Sequence, residues 1–187
     1  MAVLYGRRRC GKSRLLREIL PKDRSVYYVG DDRTSTLQIA GIAAEIARLV
    51  PGFDQVLYPD FSSLLTRWWS AAPEGAILTL DEFPALVSAS PELPSLLQKQ
   101  LDRSARKGPH LVITGSSQRM MQGFVLDRSA PLYGRAQEIL RISPLAPGWI
   151  QDALKIKSPA DAVEAFSVWG GVPRYWELAA TCGGLAE

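Results

Sequence analysis

The stretch that decides the fold is residues 1–20, MAVLYGRRRCGKSRLLREIL. Its first five residues are apolar and rich in strand-forming types, and the segment after Ser13 has helical character. Between them, residues 6–13 fit G-x-x-x-x-G-K-[ST], the pattern of a phosphate-binding loop. The order strand, loop, helix is the context this pattern requires, which favours a phosphate site over a chance glycine-rich turn before a helix.

Each fixed position of this loop has a physical role. Gly6 and Gly11 let the backbone curl so that successive N–H groups point at phosphate oxygens. The loop ends at a helix N-terminus, which favours an anion. We expect Lys12 to contact the β- and γ-phosphates and the Ser13 hydroxyl to bind Mg²⁺. The predicted nucleotide-binding residues here are Gly6, Arg7, Arg8, Arg9, Cys10, Gly11, Lys12, Ser13 and Arg14.

The composition is that of an ordinary globular protein. The chain has 187 residues, of which 47% are hydrophobic and 22% charged, enough for one full domain with a small appendage. No stretch approaches the roughly 20 apolar residues of a membrane span, and the N-terminus does not resemble a signal peptide. Cys10 and Cys182 lack metal or disulfide spacing, so we expect a reducing, cytoplasmic environment and no membrane partner.

Strands and helices alternate along most of the chain, which predicts an α/β fold with a parallel sheet and right-handed crossovers. We expect five strands, at 1–5, 25–29, 76–80, 110–114 and 138–142, flanked by helices at 14–20, 34–50, 61–72, 91–107 and 117–123. Prolines punctuate three later helical segments, at 148–156, 160–169 and 174–180. We therefore predict a phosphate-loop core over 1–143 and the truncated start of a small all-helical, lid-like subdomain over 144–187.

The second decisive feature is Asp81-Glu82, directly after the apolar strand ILTL. An aspartate at that strand end can hold Mg²⁺ through its water shell, because the ion prefers hard oxygen ligands. A neighbouring glutamate can orient and deprotonate an attacking water. The alternative is a pair of solvated acids opening a turn, since Phe83-Pro84 follows.

Glu82 also narrows the class of nucleotide-binding protein. Small GTPases would show D-x-x-G here and N-K-x-D later, and the sequence contains neither in the expected place. Nucleoside kinases transfer phosphate to a bound acceptor and need no hydrolytic glutamate. The pattern favours an ATPase that hydrolyses ATP to ADP and phosphate.

Polar residues end the fourth predicted strand, at Thr114-Gly115-Ser116-Ser117. A side chain there can bind the γ-phosphate or the attacking water, and Ser116 is the first candidate, ahead of Thr114 and Ser117. The alternative is that these residues cap the following helix.

An arginine can stabilise the charge that develops on the γ-phosphate in the transition state. Arg135, next to the flexible Gly134, is the main candidate, acting in cis or across a subunit interface; Arg119 and Arg128 are weaker ones. The alternative for Arg135 is an ordinary surface arginine. The predicted catalytic residues are thus Glu82, Lys12, Arg135 and Ser116, and the metal ligands Ser13 and Asp81.

The ordered strings LYGRRRCGKSRLL, ILTLDEFPALV, LVITGSSQRMM, APLYGR and WGGVPRYWEL resemble the archaeal and bacterial AAA-like, STAND-related ATPases over nearly the whole chain. The resemblance implies ATP and Mg²⁺ as cofactors. It also implies that Gly171-Val172-Pro173 is the G-x-P signature of the helical subdomain, with Pro173 a candidate contact to adenine or a residue that responds to the nucleotide state. Relatives usually carry an adenine-binding segment before the first strand and further domains later, so the chain is expected to be a fragment.

Three functions are consistent with these patterns. The first is Mg²⁺-dependent ATP hydrolysis coupled to movement of the helical subdomain. The second is an ATP-gated switch or interaction module that hydrolyses slowly or not at all, with a protein partner or self-association. The third is a DNA-linked ATPase; the net charge of +3 permits DNA contact, but a nucleotide pocket would use several of these charges.

Overall fold

The computed structural model describes residues 1–103 and 108–181. The strands are β1 (Ala2–Tyr5), β2 (Ser25–Val29), β3 (Ile77–Asp81), β4 (His110–Gly115) and β5 (Glu138–Arg141). The helices of the core are α1 (Lys12–Ile19), α2 (Ser35–Ala47), α3 (Phe61–Ala71), α4 (Phe83–Ala89), α5 (Leu93–Arg103) and α6 (Gln118–Met121), which continues into a π-helical turn, Gln122–Leu126. A 3₁₀ turn, Pro147–Trp149, precedes α7 (Ile150–Leu154), α8 (Pro159–Trp169) and α9 (Pro173–Thr181).

The strands form one five-stranded sheet in the order β2-β3-β4-β1-β5, and every pairing is parallel. This confirms the predicted α/β fold. Strand β4 lies between β1 and β3, although it follows both in sequence. Because parallel strands all end at the same edge, the residues after β1, β3 and β4 come together there.

The two faces of the sheet are covered unequally. The larger core lies on one face and contains Val3, Leu80 and Ile113 of the strands, packed against apolar side chains of α2, α3, α4 and α5. On the other face Leu16 of α1 packs against Leu4 and Val112. The loop that precedes α1 is therefore attached to the middle of the sheet.

Helix α4 was not predicted from the sequence, where Phe83-Pro84 suggested a turn. In the structure Pro84 lies in the first turn of α4, a position that needs no N–H donor and suits the fixed φ of proline. Helix α2 ends at Ala47, three residues earlier than predicted. The predicted end of α5 at 104–107, and Cys182, lie outside the described residues.

Helices α7, α8 and α9 pack around a small core of their own, made of Ile150, Ala162, Ala165 and Trp176. This cluster matches the predicted all-helical C-terminal part, whose exact boundary with the core stays a prediction. Within the described residues, no helix has the length and hydropathy of a membrane span.

Gly171 connects this helical part to the segment after β5. The Leu145 N–H donates to the Gly171 carbonyl at 2.7 Å. A Cβ on Gly171 would lie 2.1 Å from the Leu145 carbonyl oxygen, which is backbone and cannot move aside alone. Glycine is required here by close approach.

We therefore expect Gly171→Ala to lower the free energy of unfolding by about 1–3 kcal/mol, the usual cost of forcing an extra carbon into a packed site. Chemical denaturation followed by circular dichroism measures the change. The matched control is Gly148→Ala, because a Cβ on Gly148 has no heavy atom within 4 Å. Equal denaturation midpoints for the two variants would contradict the proposed contact.

Candidate functional site

The phosphate-binding pattern forms a curled loop between β1 and α1. Gly6 has φ 150°, and a Cβ there would lie 2.1 Å from the Ile142 carbonyl oxygen. Arg9 and Gly11 also have positive φ, 67° and 90°. Gly11 is the N-cap of α1 and supplies no side chain to the first N–H groups of the helix. Only glycine tolerates the close approach at position 6, which is why the motif fixes it.

Lys12 is buried at the base of this loop, with 5% of its surface exposed. Its Nζ donates to the carbonyl oxygens of Gly6 at 2.8 Å and Arg7 at 3.1 Å. An ammonium group has three N–H donors, so two hold the loop in shape and the third remains for another acceptor. The geometry suits a cation that fixes the loop and contacts a bound phosphate.

Asp81, at the end of β3, is the centre of the site and is 2% exposed. Its Oδ2 accepts hydrogen bonds from Ser13 Oγ at 2.6 Å and from the Tyr27 hydroxyl. Its Oδ1 accepts from Thr114 Oγ1 and from the Glu82 backbone N–H, both at 2.9 Å. The carboxylate therefore joins four separate elements of the chain.

These hydrogen bonds determine the charge states in the site. Burial alone would raise the pKa of Asp81, but the bonds from Ser13, Tyr27, Thr114 and the Glu82 N–H together bring that pKa below its ordinary value. Burial, followed by the hydrogen bond to Asp81, raises the pKa of Tyr27 to about 12. At neutral pH Asp81 is an ionised acceptor and Tyr27 a protonated donor.

The donor set at Ser13 and Asp81 fits Mg²⁺. Both present hard oxygens, 2.6 Å apart, beside the loop. Over residues 1–103 and 108–181 there is no group of three or more His, Cys, Asp or Glu side chains that could hold a metal by themselves. Mg²⁺ suits such a sparse set, because it keeps several waters and binds through one or two protein groups plus substrate phosphates.

Glu82 follows Asp81 in a left-handed conformation, with φ 49°. Its Oε2 accepts from the Ser116 backbone N–H at 3.3 Å and from Ser116 Oγ at 3.1 Å. Ser116 Oγ in turn accepts from Arg8 Nε at 3.2 Å. These three side chains border a surface cleft of about 330 Å³, together with Asp31 and Asp32.

The three polar candidates at the end of β4 have different partners. Thr114 donates to Asp81 and Ser116 to Glu82. The Ser117 hydroxyl accepts from the Met120 N–H and caps α6. The helix-capping alternative therefore applies to Ser117 alone, whereas Thr114 and Ser116 face the acidic pair.

Arg135 forms its hydrogen bonds away from the phosphate loop and the acidic pair. Its Nε and Nη2 each lie 2.8 Å from an oxygen of Asp102 on α5. Its Nη1 donates to the carbonyl oxygens of Pro131 and Tyr133. None of these partners belongs to the loop or the acidic pair, so the predicted action of Arg135 on a γ-phosphate stays a prediction. The weaker candidates Arg119 and Arg128 are exposed.

Pro173 begins α9 and borders a cleft of about 720 Å³ between the helical part and α1. Arg14 borders the same cleft, as do the apolar side chains of Leu145, Trp149 and Trp176. The structure thus brings Pro173 and Arg14 together, with apolar surface beside them. Contact of Pro173 with adenine stays a prediction.

Two arginines of the loop region contact α9. Arg14 Nη1 lies 3.2 Å from Glu177 Oε1, and Arg174 lies 2.8 Å from the other oxygen of Glu177. The Arg9 guanidinium lies 5.9 Å from the centre of the Tyr175 ring. Tyr175 and Glu177 lie in the string WGGVPRYWEL, but nothing within that string indicates a contact with the loop, because the contact depends on how α9 packs. Tyr27 was not predicted either, because it belongs to none of the motifs.

A family model described as the AAA domain matches residues 1–146. An uncharacterized protein of Methanocaldococcus jannaschii is 28% identical over 176 residues, which is 94% of this chain and 38% of that protein. The chain therefore spans well under half of that relative.

Several solved structures share the fold. The Walker-type ATPase of Pyrococcus abyssi has a TM-score of 0.70 at 18% identity, covering 94% of this chain and 60% of its own. The ORC1 protein of Aeropyrum pernix, in complex with DNA, has a TM-score of 0.62 at 18% identity. The match covers 97% of this chain and 53% of that protein's chain. Cdc6p from Pyrobaculum aerophilum has a TM-score of 0.59 at 21% identity. The match covers 98% of this chain and 56% of that protein's chain. At these identities the likeness shows the fold alone.

The bonds around Asp81 lead to a stability prediction. Thr114 and Thr79 are both fully buried, on neighbouring strands and the same sheet face. Thr114→Val removes a donor to a buried carboxylate and should lower the free energy of unfolding by about 1.5–3 kcal/mol. Urea denaturation measures the loss.

The matched control is Thr79→Val. The Thr79 hydroxyl is buried without a hydrogen-bond partner among the described residues. Its removal should leave stability unchanged or raise it slightly, because an unsatisfied buried polar group is costly. A loss at Thr79 as large as the loss at Thr114 would show that the Asp81 bond is not the cause.

Proposed function

The chain belongs to the AAA domain family of P-loop ATPases, and on that premise we propose that it binds ATP with Mg²⁺ and hydrolyses it to ADP and phosphate. The observation that carries this proposal is the bond between Ser13 on α1 and Asp81 on β3. It joins the phosphate loop to the acidic pair at one point, where the γ-phosphate of a nucleotide held by the loop would lie.

In the proposed complex the loop N–H groups and Lys12 bind the phosphates. The positive end of α1 and the buried ammonium both favour the anion. Ser13 and Asp81 would hold Mg²⁺, which when bound neutralises charge on the β- and γ-phosphate oxygens. Ser13 can bind the metal through an oxygen lone pair while its hydroxyl keeps its proton and continues to donate it to Asp81.

Hydrolysis in this proposal depends on Glu82. Its carboxylate accepts a proton from a water that attacks the γ-phosphorus, and the bond from phosphorus to the β–γ bridging oxygen breaks. Ser116 holds Oε2 of Glu82 through two donors, which fixes the carboxylate beside the cleft. Arg8, through Ser116, adds positive charge at the same place.

We further propose that nucleotide state is coupled to the helical subdomain over 144–187. The coupling is supported by the contacts of Arg14 with Glu177 and of Arg9 with Tyr175. A bound phosphate attracts the same arginines, so binding and docking of α9 affect each other. Pro173 and the apolar cleft beside it are the proposed place for the base.

The same contacts also favour the second candidate, an ATP-gated switch with slow hydrolysis. A switch needs the coupling between nucleotide and helical subdomain, but it does not need a general base that activates water efficiently. The DNA-linked alternative has less support. The net charge of +3 permits DNA contact, and the ORC1 protein was solved with DNA, but that likeness shows the fold alone.

The binding proposal predicts that Lys12→Ala weakens ATP binding about 10- to 100-fold, the usual effect of losing a hydrogen bond between charged groups. Titration with a fluorescent ATP analogue measures the affinity. Lys22→Ala, which removes an exposed lysine outside the loop, is the control and should leave affinity unchanged. Equal affinity of Lys12→Ala and the unmodified chain would exclude the phosphate site.

The hydrolysis proposal predicts that Glu82→Gln lowers the ATPase rate at least about 100-fold while ATP binding persists. The glutamine oxygen can still accept from Ser116, so the cleft keeps its shape. Phosphate release measures the rate, and Glu18→Gln, an exposed change on α1, is the control. A background rate in the unmodified chain that Glu82→Gln does not change would favour the switch.

A further inference from the structure

Tyr27 belongs to no motif, yet it contacts the centre of the site. It lies on β2, an edge strand, and pairs in register with Thr79 of β3, two residues before Asp81. Residues two apart on a strand share a face, so Tyr27 and Asp81 lie on the face that α1 covers. The Tyr27 hydroxyl donates to Asp81 Oδ2, the same oxygen that accepts from Ser13.

The hydrogen-bonding capacity of Asp81 is filled. An ionised carboxylate has two oxygens with about four lone-pair sites. Ser13 and Tyr27 occupy Oδ2, and Thr114 and the Glu82 N–H occupy Oδ1. A water of the Mg²⁺ shell that donates to Asp81 therefore has to displace one of these donors.

Tyr27 is the donor with freedom to leave. The Glu82 N–H is backbone, and Thr114 is fully buried in the middle of the sheet. Ser13 can keep its bond to Asp81 while it binds the metal through oxygen. Tyr27 is only partly buried and borders an open groove of about 610 Å³ along the outer edge of β2. Arg17, whose guanidinium lies 5.1 Å from the Tyr27 ring centre, borders the same groove.

We propose that Tyr27 competes with a Mg²⁺-bound water for Oδ2 of Asp81, and so weakens the affinity of the site for the metal. This inference rests on the proposed function of the Ser13–Asp81 pair. Tyr27 is then a positioning residue that acts through Asp81. Without the metal it satisfies the buried carboxylate, and with the metal its ring turns toward the groove.

The direction in which Mg²⁺ affinity changes when Tyr27 is removed distinguishes a competitor from a residue that supports the metal site. Removing a residue that orients Asp81 for the metal would weaken Mg²⁺ binding. Removing a competitor strengthens it. Affinity for the nucleotide without metal stays the same in the second case, because the Lys12 ammonium proposed to bind the phosphates donates to Gly6 and Arg7 and not to Tyr27.

The test is the Mg²⁺ dependence of binding of a fluorescent, non-hydrolysable ATP analogue. We expect Tyr27→Phe to lower the Mg²⁺ concentration at half-maximal effect about three- to tenfold, the effect of losing one hydrogen bond. Affinity measured in EDTA should not change. The binding of Mg²⁺ to the free analogue is the same for every variant, so it cancels in the comparison.

The matched control is Tyr28→Phe, the same change on the next residue of β2. The Tyr28 hydroxyl faces the other side of the sheet and accepts from Arg33 Nη2 at 3.2 Å, so the Mg²⁺ midpoint should stay within about twofold. Thermal unfolding checks that each variant is folded. Tyr27→Leu, which also removes the hydroxyl, should move the midpoint in the same direction and serves if Tyr27→Phe is unstable.

A midpoint that rises or stays unchanged in Tyr27→Phe overturns the proposal, because Tyr27 then orients Asp81 or does not act on it. An equal shift in Tyr28→Phe overturns it too, since the effect would belong to the strand. If the unmodified chain binds the analogue without any Mg²⁺ dependence, or not at all, the proposed function fails first and this inference with it.

Discussion

The buried carboxylate of Asp81 is the interaction on which the rest of the structure depends. An ionised group that is 2% exposed is stable only when its oxygens are fully hydrogen-bonded. Its donors come from α1, β2, the turn after β3, and β4, through Ser13, Tyr27, Glu82 and Thr114. The fold and the proposed metal site therefore both require that the Asp81 carboxylate be hydrogen-bonded. The elements that supply its donors surround the place where the nucleotide phosphates would bind.

The strand order makes this arrangement possible. With β4 between β1 and β3, the end of β4 lies between the phosphate loop and the acidic pair. Thr114 then contacts Asp81, and two residues further Ser116 joins Glu82 to Arg8 of the loop. Had β1 and β3 been neighbours, no polar side chain of a central strand could stand between them. The proposed hydrolytic role of Glu82 relies on this inserted strand as much as on the glutamate itself.

Sequence patterns were sufficient where the information is local. The loop is defined by spacing within eight residues, and β1 to β4 are short, mainly apolar runs between turn signals. They were insufficient where a contact depends on register between distant elements. Tyr27 reaches Asp81 only because β2 and β3 pair in one particular register, and Arg135 finds Asp102 only through the packing of α5. Helix α4 was missed because proline disfavours both a helix interior and a strand, while its first-turn tolerance depends on where the helix begins.

The contacts between the loop and α9 differ in strength from those around Asp81. Arg14 and Glu177 are both largely exposed, with 77% and 46% of their side chains accessible, and such a pair contributes at most about 1 kcal/mol. The Gly171 and Leu145 backbones, by contrast, are in close contact and fix the point where the helical part is attached. A weak contact beside a firm attachment can be shifted by a modest change in charge. A phosphate bound next to Arg9 and Arg14 supplies such a change, which is the physical basis of the proposed coupling.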